Sequence, residues 1–312
     1  MDPSLVEMLE ALERLLARPP GDHLGALGEL RSAWPSPAVP EAWNTAFGPG
    51  SLFEAWTATP FMRSIYAANA AELHAVLRRD DFVVAEIGGG NGALWQEALG
   101  PGARGTLVLV DPEPEAHVRV QEVLPSGVAL VSRPERVEDV SLPEVDAIVC
   151  SLTLHHVAGE DAARRARFGL AGPGKAEILA GFATALAPRG GRLLLNEADV
   201  YCDLALPPGD PVLADRIVDS YVRRCARGLI AALRDPATPS ALAARWAVIV
   251  RRWCVDQLDV VTAAPAARDV YELDVARWLD LLDGAGFDVL AHRFTDRWGL
   301  FHQYVAVPRT PR

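Results

Sequence analysis

Apolar residues recur along this chain with two different periods, and the changes of period divide it into four segments. Behind Asp2-Pro3, an N-cap acid followed by proline at the first helical position, Leu5, Met8, Leu9, Leu12, Leu15 and Leu16 make one helical stripe. A proline-broken stretch then runs through Trp34 and Trp43 to Gly50. Thr59-Pro60 opens a second helix, which turns Phe61, Ile65, Leu73, Val76 and Leu77 to one side. From Phe82 the pattern becomes short, nearly continuous apolar runs at 82–87, 106–110, 128–131, 147–150 and 192–195, with helices predicted over 93–99 and 176–186. Strands that are apolar on both faces belong in a parallel sheet covered by helices on each side.

The helical period returns after Asp199. Asp210-Pro211 starts a helix with Leu213, Ile217, Tyr221, Cys225, Leu229 and Leu233 inward and Asp215, Arg216, Asp219, Arg223 and Arg227 outward. Thr238-Pro239 starts another, with Leu242, Trp246, Ile249, Val250 and Trp253 inward. In the fourth segment Asp274 caps a helix bearing Val275, Trp278, Leu279 and Leu282, and Gly284 and Gly286 end it. Two runs at 287–294 and 301–307 follow, close enough in sequence to be an antiparallel pair.

Composition narrows the class. Half of the 312 residues are hydrophobic and 23% are charged, which describes a folded chain. That length exceeds what a bare nucleotide-binding βαβ unit needs. The surplus falls in two helical segments, 1–80 and 199–270, flanking a core of 81–198 that 271–312 completes. A net charge of −11 argues against broad nucleic-acid binding. Cys150, Cys202, Cys225 and Cys254 form no CxxC pair and are expected as buried thiols in a reduced compartment. No apolar run reaches the roughly 18–20 residues that span a bilayer, and the acidic N-terminus lacks the basic region of a signal peptide. A cytoplasmic protein is expected, bound neither to nucleic acid nor to membrane. Lys175 is the only lysine.

The informative motif is Glu86-Ile87-Gly88-Gly89-Gly90-Asn91-Gly92 at the end of the first predicted strand. Glycines at alternate positions let the chain turn sharply and let a ligand approach the backbone, and the following helix points its amides at the loop. The next strand ends at Asp111, where a carboxylate can grip a ribose diol with two hydrogen bonds. The loop departs from the GxGxxG of dinucleotide dehydrogenases, because its glycines alternate and Glu86 precedes them, and no Gly-Lys-Ser/Thr of a P-loop follows.

The stretches EIGGGNG, LVLVDPEPE, VDAIVCSLTLHHV and LAPRGGRLLLNEADV resemble class I S-adenosylmethionine (SAM)-dependent methyltransferases. GAGFDVL and FHQYVAV resemble that family's last helix and terminal antiparallel hairpin. The resemblance implies a Rossmann-like, doubly wound, seven-stranded α/β sheet with SAM as cofactor and S-adenosylhomocysteine as product. It implies that Glu86, Gly88, Gly89 and Gly90 line the cofactor, that Asp111, followed by Pro112, holds the ribose, and that Ser151 faces the site. Ser132 and Arg133 take the third-strand position near the adenine, but the family's usual Gly-Asp is missing there. Arg63 and Tyr66 lie on the helix that in related enzymes often reaches the SAM carboxylate.

For chemistry, His155 and His156 follow the fourth strand, and a neutral imidazole there can take a proton near pH 7. His156 is the preferred base, with His155 the other candidate and hydrogen bonding to a neighbouring strand the non-catalytic reading. Glu197 and Tyr201, after the fifth strand, either reach the acceptor or cap the next helix. Trp43, Trp56 and Phe61 either wall a substrate pocket or serve as core. No metal site is expected, because adjacent histidines diverge and no carboxylate accompanies them at ligand spacing.

The leading reading is methyl transfer to a small molecule in specialised metabolism, with the helical segments as a lid. Two alternatives use the same cofactor: attack on its aminocarboxypropyl arm, with cyclisation and release of methylthioadenosine, and a non-catalytic SAM-binding subunit. The N-terminal amphipathic helix either pairs two copies as a homodimer or folds back over the site.

Overall fold

In a computed structural model, residues 3–33, 47–157, 161–169, 173–202, 206–207, 209–251 and 273–309 are described. Asp2, Trp34, Trp43, Trp253 and Cys254 lie outside them, as do the side chains of Leu5, Met8 and Val250.

Seven strands form one sheet: β1 Phe82–Ile87, β2 Gly105–Val110, β3 Val128–Arg133, β4 Ala147–Ser151, β5 Arg192–Ala198, β6 Phe287–Phe294 and β7 Phe301–Pro308. Their order is β3-β2-β1-β4-β5-β7-β6, with β1 to β5 parallel and β7 antiparallel to both neighbours. The chain winds outward from β1 in both directions, which leaves a crevice at the carboxyl ends of β1 and β4, the topological switch point. This is the doubly wound sheet with a terminal hairpin that the sequence resemblance implied. Each predicted strand is present, and β3, β4 and β5 run two, one and three residues further than their apolar runs. Of the added residues in β4 and β5, Ser151 and Asn196 are bonded to each other across strands, Glu197 bonds the turn after β4, and Ala198 is buried.

In chain order the α-helices begin with α1 Pro3–Leu16, α2 His23–Ala33, α3 Leu52–Thr57, α4 Pro60–Leu77, α5 Ala93–Ala98 and α6 Pro114–Val123. They continue with α7 Ala162–Phe168, α8 Gly174–Leu186, α9 Pro211–Ile217, α10 Arg223–Arg234, α11 Ser240–Arg251 and α12 Val275–Gly284. One sheet face packs on α4, α5 and α6, and the other on α8 and α12. The sequence pattern missed α2, α3, α6 and α7. Three of these are short or weakly patterned, but α6 announces itself by Glu113-Pro114, with proline in its first turn.

The two helical segments pack on each other. A π-helical turn at Val218–Val222 joins α9 to α10, and all six residues predicted inward on this rod are buried. On α1, Leu9, Leu12 and Leu15 are buried within the chain, so its stripe folds back onto its own protein. Asp215 accepts from Gly21 N and pairs with His23 Nδ1, both at 2.8 Å, and Arg223 donates to Leu16 O at 2.8 Å. Trp246 Nε1 donates to Ala55 O at 2.7 Å. Arg224 anchors the insert to the sheet by donating to Asp199 Oδ2 at 2.8 Å and Gly299 O at 2.7 Å, beside the carboxyl end of β5. No helix among the described residues is long and apolar enough to cross a membrane. Cys150 and Cys202 are buried free thiols, and Cys225 is buried as well.

An aromatic cluster joins helices to sheet. Phe61 lies edge-on to Trp298 at 4.9 Å and to Phe301 at 5.4 Å, and Trp56 lies 6.2 Å from Phe301. A Cβ on Gly228 of α10 would stand 2.2 Å from the Phe61 ring, so glycine is what lets α10 close on it. Phe61→Ala is expected to cost about 3–5 kcal/mol of unfolding free energy in urea titration. A loss below about 1 kcal/mol, the range of exposed positions, would return Phe61 to the role of a pocket wall.

Candidate active site

The glycine loop leaves β1 at the switch point. Gly88 and Gly90 have φ of +78° and +54°, conformations that favour glycine. A Cβ at Gly88 would strike Thr153 Oγ1 at 2.2 Å, and one at Gly90 would strike the Phe53 ring at 2.7 Å. The loop backbone is therefore covered closely by Phe53 from α3 and Thr153 from the turn after β4, two contacts the sequence did not announce.

Two carboxyl groups lie behind this loop. Glu86 is buried and accepts from Trp95 Nε1 of α5. Desolvation, only partly opposed by that hydrogen bond and reinforced by Asp111, pushes its carboxyl up to about 8. Asp111, also buried, accepts from Gly89 N and Glu113 N, each at 2.9 Å. Burial raises its pKa, while the amides of Glu113, Gly89 and Gly90 pull the other way. No Lys or Arg side chain among the described residues hydrogen-bonds either acid. Tyr66 is buried beside Glu86, and burial raises its phenol well above the ordinary value. Arg63, one turn earlier, is mostly exposed and pairs with Glu97 of α5 at 3.4 Å.

The remaining predicted contacts spread out. Ser132 Oγ meets His117 Nδ1 at 2.7 Å, and His117 Nε2 meets Asp111 O at 2.8 Å, so Ser132 braces the ends of β2 and β3 through α6. Pro112 and Arg133 are exposed. Ser151 Oγ accepts from Asn69 Nδ2 at 3.0 Å and Asn196 Nδ2 at 3.1 Å, in an amide network that Gln303 Nε2 extends by donating to Asn69 Oδ1 at 2.8 Å. Tyr201 is half-buried beneath the Arg216 guanidinium. Trp56 and Phe61 belong to the aromatic core.

A second group forms at the end of β4. Leu152 has φ +53°, a left-handed conformation costing a leucine about 1–2 kcal/mol, and its N–H donates to Asn196 O at 2.8 Å. That kink starts the turn Leu154–His156. Buried Glu197 holds the turn by accepting from Leu154 N at 3.0 Å and binding His155 Nδ1 at 2.7 Å. The Nδ1 contact fixes the ring and makes Nε2 its basic nitrogen. His156 lies 4.1 Å away ring to ring and makes no such contact with Glu197. It is exposed, yet crowded enough that desolvation, then His155 and Lys175, hold its imidazole well below the ordinary histidine range.

Residues 85–168 match the model of the methyltransferase domain family. Those residues are a methyltransferase domain. SAM is the cofactor of such a domain, as the resemblance implied, and the enzyme is a transferase. The matched stretch holds the glycine loop, Asp111 and the histidine turn; Glu197 and both helical segments lie beyond it. No curated protein sequence matches the chain. Among solved structures, the chain is similar to magnesium protoporphyrin IX methyltransferase of Synechocystis PCC 6803 with bound S-adenosylhomocysteine, at 14% identity over 82% of this chain and 94% of that one (TM-score 0.45). It is similar to mitomycin 7-O-methyltransferase at 18% identity over 96% and 75% (0.43). A protein of Bordetella parapertussis described as a possible exported protein shares 20% identity over 99% and 100% (0.48).

The donor set fits a cationic ligand: two buried acids and glycine amides, with no Lys or Arg side chain among the described residues hydrogen-bonded to either carboxyl. One consequence needs no ligand. A carboxyl with a raised folded pKa contributes stability below its unfolded value of 4.5, and that contribution is lost as pH rises through about 8. Glu86→Gln is therefore expected to melt higher than the parent at pH 8.5, by at least ~4 °C, with the gap shrinking towards pH 5. A pH-independent difference in melting temperature would contradict this account of Glu86.

Proposed function

We propose that the protein transfers a methyl group from SAM to a small-molecule acceptor. The observation that carries this reading is the pair of buried carboxyls, Glu86 and Asp111, neither hydrogen-bonded to a Lys or Arg side chain among the described residues, against a glycine loop inside the methyltransferase domain. Glu86, beside Tyr66, answers the positive charge of SAM, and Asp111 turns from the loop amides to the ribose hydroxyls. Gly88, Gly89 and Gly90 supply the close backbone approach. When bound, SAM supplies a methyl group on a positively charged sulfur. What remains for the chain is to hold the acceptor in line, exclude water and remove a proton where the acceptor carries one.

The geometry favours His155 over His156 as that base. Glu197 orients His155 through Nδ1, whereas no side-chain hydrogen bond to His156 is present among the described residues. Ser151 stands at the end of β4 between Asn69 and Asn196, so it serves to align the strand ends. The helical segments at 1–80 and 199–270 close the carboxyl edge and set acceptor size. A compact acceptor, specialised metabolism, a cytoplasmic setting and a homodimer remain parts of this proposal.

Incubation of the protein with SAM, alone and with a panel of small hydroxyl and amine compounds, followed by mass spectrometry, tests the reaction. S-adenosylhomocysteine formed only with an acceptor supports methyl transfer; methylthioadenosine from SAM alone replaces it with cyclisation of the aminocarboxypropyl arm. Asp111→Ala is expected to weaken SAM binding at least ~10-fold, about 1.4 kcal/mol, in calorimetry. His155→Ala should lower turnover ~100-fold or more at nearly unchanged SAM affinity. Equal turnover would remove His155 from the reaction.

A further inference from the structure

Lys175, in the first turn of α8, is buried at 2% exposure, in a chain whose other 29 of 30 basic residues are arginines. Its Nζ donates to Val157 O at 2.8 Å and to Phe168 O at 2.7 Å. Val157 directly follows the histidine turn, and Phe168 ends α7. One ammonium thus ties three elements together. The start of α8 is close to Phe168 as well: a Cβ on Gly174 would stand 2.1 Å from that ring.

We propose that Lys175 is a positioning residue, a latch that fastens the His155–His156 turn to α7 and α8 and keeps a positive charge behind the imidazoles. This rests on the assignment of that turn to the active site. Only a compact ammonium on a flexible stem suits two carbonyls at this depth; a planar guanidinium is wider and presents its donors in a fork. Among the described residues, the groups facing the ammonium include Glu197 on β5, Glu138 on the turn Val137–Asp139, and His156. Glu138 is itself bonded by Arg164 of α7, and Glu197 by His155. Burial outweighs the attraction of both acids and brings the lysine down to about 8, so it remains mostly charged at pH 7. A charge there opposes protonation of His156, whose ring touches that of His155.

The test reads the histidines directly by NMR and needs no substrate. Lys175→Gln keeps N–H donors and removes the charge. It is expected to raise the His156 titration midpoint by at least ~0.5 pH unit, a threefold change in proton affinity, and to speed amide exchange at 154–157 at least tenfold. Lys175→Arg keeps the charge but not the fit, so it should speed exchange while leaving the midpoint in place. An unmoved midpoint together with unchanged exchange in Lys175→Gln overturns the latch. Should that variant not fold, reductive methylation of the parent at pH 8 decides: the α-amino group reacts and Lys175 resists. Equally fast labelling of both amines overturns the proposal. SAM enters none of these readings, so they stand or fall apart from methyl transfer.

Discussion

Burying a carboxyl group away from water costs several kcal/mol unless a charge or a set of hydrogen bonds compensates, and this fold buries two against one glycine loop. Asp111 recovers part of the cost from loop and strand-end amides. Glu86 has a single indole donor and recovers less, so its proton is held to about 8. The arrangement is poorly balanced by itself and becomes balanced when a cation arrives. Much else at the switch point follows from it. The loop must be glycine so that amides reach Asp111, Trp95 must stand where it can donate to Glu86, and Tyr66 must close the other side. Both acids are thus buried at a cost to the protein's stability.

The histidine turn has a different construction. Glu197 projects from the opposite sheet face to Asn196, and its two oxygens are used on the turn after β4, one on an amide and one on an imidazole. Here an acid is satisfied entirely by the protein and acts as a strut. Kinked Leu152 lets β4 remain bonded to β5 through its own N–H while the chain swings towards Glu197. One face of β5 thus aligns strand ends through Asn196 and the other holds His155 through Glu197. The described parts of the two helical segments are bonded to one another through Asp215, Arg223 and Trp246.

How legible all this was depended on whether a function lay along the chain or across it. Strand cores such as Phe82–Ile87 repeat an apolar pattern that burial on two faces demands, and the inward residues of α10 follow from periodicity alone. Glu86, Asp111 and the glycines were readable because one βαβ unit brings them together. The choice between His155 and His156 was not, since adjacent residues share every sequence signal; only Glu197, more than forty positions away, separates them. Asn69, Ser151, Asn196 and Gln303 meet from four elements, and no spacing links them. Trp56 and Phe61 carry signals for core and for pocket together, and for Phe61 it is Gly228 against the ring that separates them. Lys175 stood out by composition, yet its partners are backbone carbonyls, which no sequence pattern displays.

Titration calorimetry of SAM into the protein at pH 7, repeated in buffers of different ionisation heat, tests the central claim most directly. If a cationic ligand settles the imbalance around Glu86, binding releases most of one proton per SAM, because a carboxyl held near 8 must ionise beside the new charge. Glu86→Gln should bind without that release. Failure of SAM to bind, or binding by the parent with no proton released, would contradict the account.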